Sequence, residues 1–295
     1  MKTVLITGAS GCLGSNLIAK LLDNTDIQVI AILGRTGDKS NLLPSGDNIV
    51  VYPYTELFSI DFGHVDTLIH AAFSRGDNLP GLTSSIDFTR KIIELVNHRD
   101  IDSILNISTQ GLYQRLKAGE KVTEEGTVGP STTYGLAKWA VENMLKVGCR
   151  KHFTNIRMAS LSANAKFLDF FVESVIAHKE ITITAPRQYA SIMDVSDAVE
   201  GIMAIMQLPM EQRKEVYNLG PGVQYSILDY AQSANEVWKS MGHAPTDITI
   251  MDSGIEFATC MDCTTLETQT GWKPKVTKSM MLQKMFERIL ATQHI

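Results

Sequence analysis

The segment YGLAK at 134–138 sets Tyr134 one helical turn before Lys138. A phenol alone titrates near about pH 10, and a neighbouring ammonium stabilises the phenolate and draws that value toward working pH. Residues i and i+4 share a helix face, so both side chains can serve one substrate atom. The pair suits proton exchange with a C–OH/C=O couple while a nicotinamide exchanges hydride. The same spacing also fits an ordinary helix surface, so the surrounding sequence must decide. A third donor, a hydroxyl that orients the carbonyl, is offered by NISTQGLY at 106–113, which carries Ser108 and Thr109. They stand at the C-terminal end of an expected strand, where open α/β sheets bind ligands.

Such a pair needs a cofactor held beside it. TGASGCLG at 7–14 follows an apolar segment and opens a helical pattern, with Gly8, Gly11 and Gly14 spaced three apart. Bare backbone allows a tight turn and a close pyrophosphate, and the next helix aims its free N–H groups there. Ser10, Gly11, Cys12, Leu13 and Gly14 are the candidate phosphate contacts, with Gly8 at the turn. The second strand should end on the residue that meets the adenosine ribose. A carboxylate there would select NAD, but the chain offers Gly34 and Arg35. Arg35 can grip a 2′-phosphate bidentately, so NADP is the expected preference and NAD the alternative, with Arg35 then a solvated loop residue.

The elements that position these groups follow from apolar patterning. Strands are expected at 3–7, 27–33, 48–52, 66–70, 102–108 and 153–158, and helices near 13–23, 82–98 and 133–147. This alternation implies an α/β fold, a Rossmann-type doubly wound parallel sheet with helices on both faces. Strands with near-continuous apolar character agree, being covered on both sides. The second half is more mixed. Helices are expected near 166–179, 195–207, 226–241 and 277–291, with strands at 181–184 and VYNLG. The expected division is a cofactor domain over 1–158 with a returning segment near 190–220. A smaller C-terminal α/β substrate lobe takes 159–189 and 221–295.

With 295 residues and 44% hydrophobic residues the chain can bury a substantial core. A net charge of −5 with scattered Lys and Arg argues against nucleic acid. No apolar run approaches a membrane span, and the first strand begins almost at the N-terminus, so a cytoplasmic protein is expected. Cys260 and Cys263 in CMDC have ligand spacing but lack a second pair, and with Cys12 and Cys149 they read as thiols in a reducing compartment rather than a metal site.

Together these motifs resemble the extended short-chain dehydrogenase/reductases, the NAD(P)-dependent nucleotide-sugar epimerases, dehydratases and reductases. The resemblance rests on TGxxGxxG at 7–14, DTLIHAA at 66–72, STQGLY at 108–113 and YxxxK at 134–138. It continues with NIRM at 155–158, DVSDAVEGI at 194–202, YNLG at 217–220 and GWKP at 271–274. It implies Thr109, Tyr134 and Lys138 as the catalytic set, with Tyr134 and Lys138 also touching the cofactor. Ala71 and Ala72 would line the cofactor, and His70 would be structural. Gln110 and Gly111 stand where the family's dehydratases carry an Asp-Glu pair, so dehydration is not expected. Ala190 replaces an arginine that grips the substrate's diphosphate, leaving Arg187 as a possible substitute. Ser108, Ser160 and Arg187 are the candidate substrate contacts. The implied activity is a 4-epimerase or 4-keto reductase of a sugar, expected to carry a nucleotide. The alternatives are an NADPH-dependent reductase of a small non-nucleotide carbonyl and a non-catalytic redox sensor. A homodimer is expected through Ile86, Ile93 and Val96 on one helix and Leu136, Ala140 and Met144 on another.

Overall fold

Strands such as KTVLIT and VDTLIH bury four residues or more, as a sheet covered on both faces requires. The computed structural model describes residues 1–34, 43–74 and 78–293. Its main sheet comprises β1 (Lys2–Thr7), β2 (Ile27–Ile32), β3 (Ile49–Tyr52), β4 (Val65–His70), β5 (Ile101–Thr109) and β6 (His152–Met158). After β7 (Ser160–Leu161), β8 (Ile181–Ile183), β9 (Gln188–Ala190) and β10 (Ile192–Met193), β11 (Val216–Leu219) returns to it. Short strands β12 (Tyr225–Ser226), β13 (Ile248–Ile250) and β14 (Phe257–Ala258) complete the set. The helices are α1 (Cys12–Leu22), α2 (Leu79–His98), α3 (Thr133–Gly148), α4 (Lys166–Ile176), α5 (Val195–Gln207), α6 (Ile227–Ser240), α7 (Thr264–Thr270) and α8 (Lys278–Gln293).

The seven-stranded sheet runs β3-β2-β1-β4-β5-β6-β11, parallel throughout. Strand order reverses between β1 and β4, the switch point at which such sheets bind ligands. The register sets Thr7 beside His70, His70 beside Asn106 and Asn106 beside Asn155. This buried polar row crosses the sheet just below its C-terminal edge. On one face Leu13, Leu17 and Leu21 of α1 share a core with Val199 and Ile202 of α5. On the other, Ile92 and Val96 of α2 share a core with Val141 and Leu145 of α3. A separate core joins Leu168 and Phe171 of α4 to Tyr230 and Trp238 of α6 and to Leu282 and Phe286 of α8.

The fold class read from the sequence holds. Several boundaries differ. α2 starts at Leu79, because Asn78 caps Gly81 and Pro80 sits in the first turn. α4 stops at Ile176, and His178 takes a left-handed turn at φ 52°. β9, β10, β12, β13 and β14 escaped periodicity because they are two or three residues long, and α7 because its seven residues make only about two turns. The expected pairing faces also need correction. Ile93 and Val96 are buried against the protein's own sheet, and Ile86, Ala140 and Met144 are half-covered. α2 turns outward a charged ladder of Asp87, Arg90, Lys91 and Glu94. The apolar stripe that α3 exposes is Leu136 (54%), Trp139 (41%) and Val147 (86%).

Candidate active site

The glycine turn is built by close approach. Gly8 has φ +74°, and a Cβ there would lie 2.8 Å from the Ala72 nitrogen. A Cβ on Gly14 would lie 2.3 Å from the Gly8 carbonyl oxygen and 2.9 Å from Ala9. Only bare backbone lets α1 start this close to β1. Gly11 occupies the N-cap without a side-chain cap, and the first turn of α1 holds no acid. These features fit a dinucleotide's pyrophosphate, since backbone donors and the positive helix end favour an anion.

A cleft of about 1060 Å³ opens over this turn. It is lined by Gly8, Ser10, Gly11, Cys12, Leu13 and Gly14 from the turn, and by Ala71 and Ala72 after β4. Ser108, Thr109, Tyr134, Lys138 and Ser160 line it from the other side. The structure thus gathers these predicted residues in one place. Arg187 is not brought there. It pairs with Asp252 at 2.6 Å and Glu256 at 3.7 Å, away from the cleft lining. Arg35 lies outside the described residues; Gly34 lines the cleft.

Thr109 ends β5 and turns into a 3-10 segment at Gln110–Leu112. Its Oγ1 accepts from the Gly111 N–H at 3.1 Å, which leaves the hydroxyl proton for an acceptor in the cleft. α3 begins against this turn, capped by Thr132, whose oxygen accepts from Gly135 N–H at 3.0 Å. Gly135 is required there, because a Cβ would lie 2.4 Å from the Gly111 carbonyl oxygen. The glycine inside YGLAK therefore brings Tyr134 up to the Thr109 turn. Lys138, 2% exposed, donates from Nζ to the Ile107 carbonyl at 2.7 Å and sits 4.0 Å from the Phe73 ring centre. Phe73 meets Tyr134 edge-on at 5.9 Å, so one aromatic ring packs against both members of the pair.

Ser108 behaves differently from its neighbour. Its hydroxyl donates to Glu142 Oε1 at 2.5 Å, so its proton is taken up within the protein although the residue lines the cleft. His70 is structural, as the motif implied. Thr89 donates to the Ser85 carbonyl and therefore accepts from His70 Nε2–H at 2.9 Å, while Thr7 supplies the proton to Nδ1 at 2.8 Å. Burial, with a smaller push from the Lys138 ammonium, lowers the His70 pKa to about 3, so the ring is neutral. Cys260 and Cys263 are buried, and burial pushes the Cys263 thiol up to about 12. Sequence reasoning missed Phe73, Glu142 and Arg157 as parts of the site. Glu142 had a signal, standing one further turn along the Tyr134–Lys138 face.

The NAD dependent epimerase/dehydratase family matches residues 4–220, spanning the sheet and every candidate catalytic residue. The chain belongs to that family. It is a nicotinamide-dependent enzyme of the extended short-chain dehydrogenase/reductase type, as the motifs implied. A low-salt glycan biosynthesis protein of Haloferax volcanii is 23% identical, with 92% of this chain and 93% of that protein covered. Among solved structures, a UDP-glucuronic acid 4-epimerase from Bacillus cereus in complex with UDP-glucuronic acid and NAD has a TM-score of 0.81 at 22% identity, covering 98% of this chain and 99% of that one. A UDP-glucose 4-epimerase from Thermotoga maritima with UDP-glucose gives 0.80 at 20% identity, covering 99% of each chain. Among the described residues of this family member, no helix is long and apolar enough to cross a membrane.

Proposed function

We propose that the chain is a nucleotide-sugar 4-epimerase. The observation that carries this is the convergence of the glycine turn, Thr109, Tyr134 and Lys138 on one cleft. Bound over the turn, a nicotinamide would take a hydride from the sugar carbon and return it to the opposite face. Tyr134 removes the proton of that carbon's hydroxyl and gives it back to the ketone oxygen. Lys138 stabilises the phenolate and holds its own place through Ile107. Thr109 donates to the same oxygen, fixing its distance from Tyr134. Gln110 and Gly111 follow Thr109 and supply no acid or base for elimination.

The test is proton NMR of UDP-glucuronic acid, UDP-glucose and UDP-N-acetylglucosamine incubated with protein and NAD. The 4-epimer should accumulate without net change in NADH, and absence of any epimer would end this reading. A second reading, reduction of a small carbonyl, is favoured by Arg187, which Asp252 and Glu256 already hold, and by Ala190. It requires NAD(P)H consumption with no epimer formed.

Two finer points belong to this proposal. The cofactor in turnover is NAD: the expected NADP preference rested on Arg35, whereas the Bacillus cereus relative holds NAD. Calorimetry with both reduced cofactors decides it, and a preference for NADPH that Arg35→Ala erases would restore NADP. The chain also pairs with a second copy through Leu136, Trp139 and Val147 of α3 rather than through α2. A monomeric mass at micromolar concentration would overturn this pairing.

A further inference from the structure

A buried polar network of Glu142, Arg157 and Tyr113 lies behind the catalytic residues and meets the cleft only through Ser108. Glu142 of α3 and Arg157 of β6 form an ion pair at 2.8 Å, and both are buried. Arg157 Nε also reaches both Glu142 oxygens, at 3.2 and 3.3 Å. Its Nη1 donates to the Tyr113 hydroxyl at 2.9 Å and to the Glu124 carbonyl at 3.0 Å. Tyr113 in turn donates to Asn218 of β11 at 2.7 Å. Four of the five guanidinium N–H groups are thus engaged and its plane is fixed. Burial works against its charge, but Glu142 offsets this and raises the Arg157 pKa.

Glu142 is the one member on the catalytic helix, one turn beyond Lys138 and two beyond Tyr134. It accepts from Ser108, the residue before Thr109. One turn earlier Lys138 donates to Ile107. The end of β5 is therefore pinned to α3 at two successive residues, and Arg157 braces the second pin from β6. A rigid element pinned twice can neither slide nor rotate relative to its neighbour, so the Thr109 hydroxyl and the Tyr134 phenol keep a fixed separation. A buried charge pair is a weak source of stability when balanced against desolvation. Its value here is geometric.

We propose that Glu142, braced by Arg157 and reached by Ser108, is a positioning residue that holds α3 in register with β5 for catalysis. This rests on the catalytic reading of Thr109, Tyr134 and Lys138. Removing Glu142 or Arg157 strands a buried charge and can unfold the chain, so the test acts on Ser108. Ser108→Ala deletes one hydroxyl, and Ser108→Thr keeps it. With a nucleotide sugar that the wild type epimerises, Ser108→Ala should lower kcat by about ten- to a hundredfold, as a small misplacement does. KM and NAD affinity should stay within about twofold, and Ser108→Thr should recover most of kcat. Unchanged kcat in Ser108→Ala, or an equal loss in both variants, would overturn the proposal. Amide hydrogen exchange needs no substrate. Exchange at 134–138 should quicken in Ser108→Ala while α8 keeps its wild-type rates. If the wild type epimerises none of the sugars, the epimerase reading fails and exchange alone decides. Unaltered or uniformly faster exchange then sinks the positioning role.

Discussion

His70 makes this protein acid-sensitive in a way that can be measured. The imidazole is buried between Thr7 and Thr89, and its pKa falls to about 3, from the usual value of about 6.5 in an unfolded chain. The unfolded state therefore binds a proton that the folded state refuses. A base whose folded pKa is depressed costs stability as pH falls below its unfolded value, so the loss begins near pH 6.5 and grows toward pH 3. At pH 5 the unfolded chain is favoured by a factor of about thirty, or about 2 kcal/mol, relative to pH 8. The assay is urea unfolding at pH 8 and pH 5 for wild type and His70→Gln, which cannot titrate. Burial also lowers His152, while its contact with Asp100 raises the pKa of the exposed His64, but both remain in the two proteins and cancel. The wild type should lose about 2 kcal/mol more than the variant between the two pH values. Imidazole resonances of His70 should meanwhile keep neutral shifts down to pH 5. Equal losses, or a His70 titration near pH 6.5, would refute the buried neutral ring.

Tyr134→Phe should lower turnover by about a hundred- to ten-thousandfold, the scale of lost general acid–base catalysis. NAD affinity by calorimetry should stay within about twofold, and loss of binding instead would reassign the phenol to the cofactor. Gly14→Ala forces a Cβ to 2.3 Å from the Gly8 carbonyl oxygen, so NAD binding should weaken more than about tenfold. Trp139→Glu should leave a monomer by sedimentation if α3 carries the pairing surface. His64 should titrate above its ordinary value by NMR, first through its hydrogen bond to Asp100. Asp100→Asn should bring that midpoint down. Its contribution to stability is present below about pH 6.5 and fades as pH rises through the raised value.

The parts legible in the sequence were those whose physics is local. The glycine turn announces itself because a strand, a tight turn and a helix need their residues at fixed short offsets. The Tyr134–Lys138 pair is legible for the same reason, and so is the α/β alternation. Ser108 and Thr109 are neighbours of similar chemistry that both line the cleft; the resemblance singled out Thr109, but spacing alone could not show that the Ser108 hydroxyl is taken up within the fold. That depends on Glu142, which arrives from a helix far along the chain. Arg187 was read as a substrate contact, but Asp252 and Glu256, brought beside it only by folding, hold it instead. The expected α2 stripe was a true apolar stripe. Periodicity says that a face will be buried, never whether by its own sheet or by a second chain.

The return of β11 has a consequence for how the chain is born. After β6 ends at Met158, the polypeptide leaves the main sheet and comes back only at Val216–Leu219. Until those residues emerge from the ribosome, the outer edge of β6 offers unpaired backbone groups on a strand destined for the interior. At roughly 5–20 residues per second, this exposure lasts several seconds. Such an edge is a template for pairing with the wrong chain. Asn218, fully buried and bonded to Tyr113, is among the last polar groups to arrive in the main sheet. The seven-stranded sheet is therefore not a piece that ripens first while the rest is made. It closes only when a strand from beyond the excursion is delivered, and the match to the family ends at residue 220, directly after that strand.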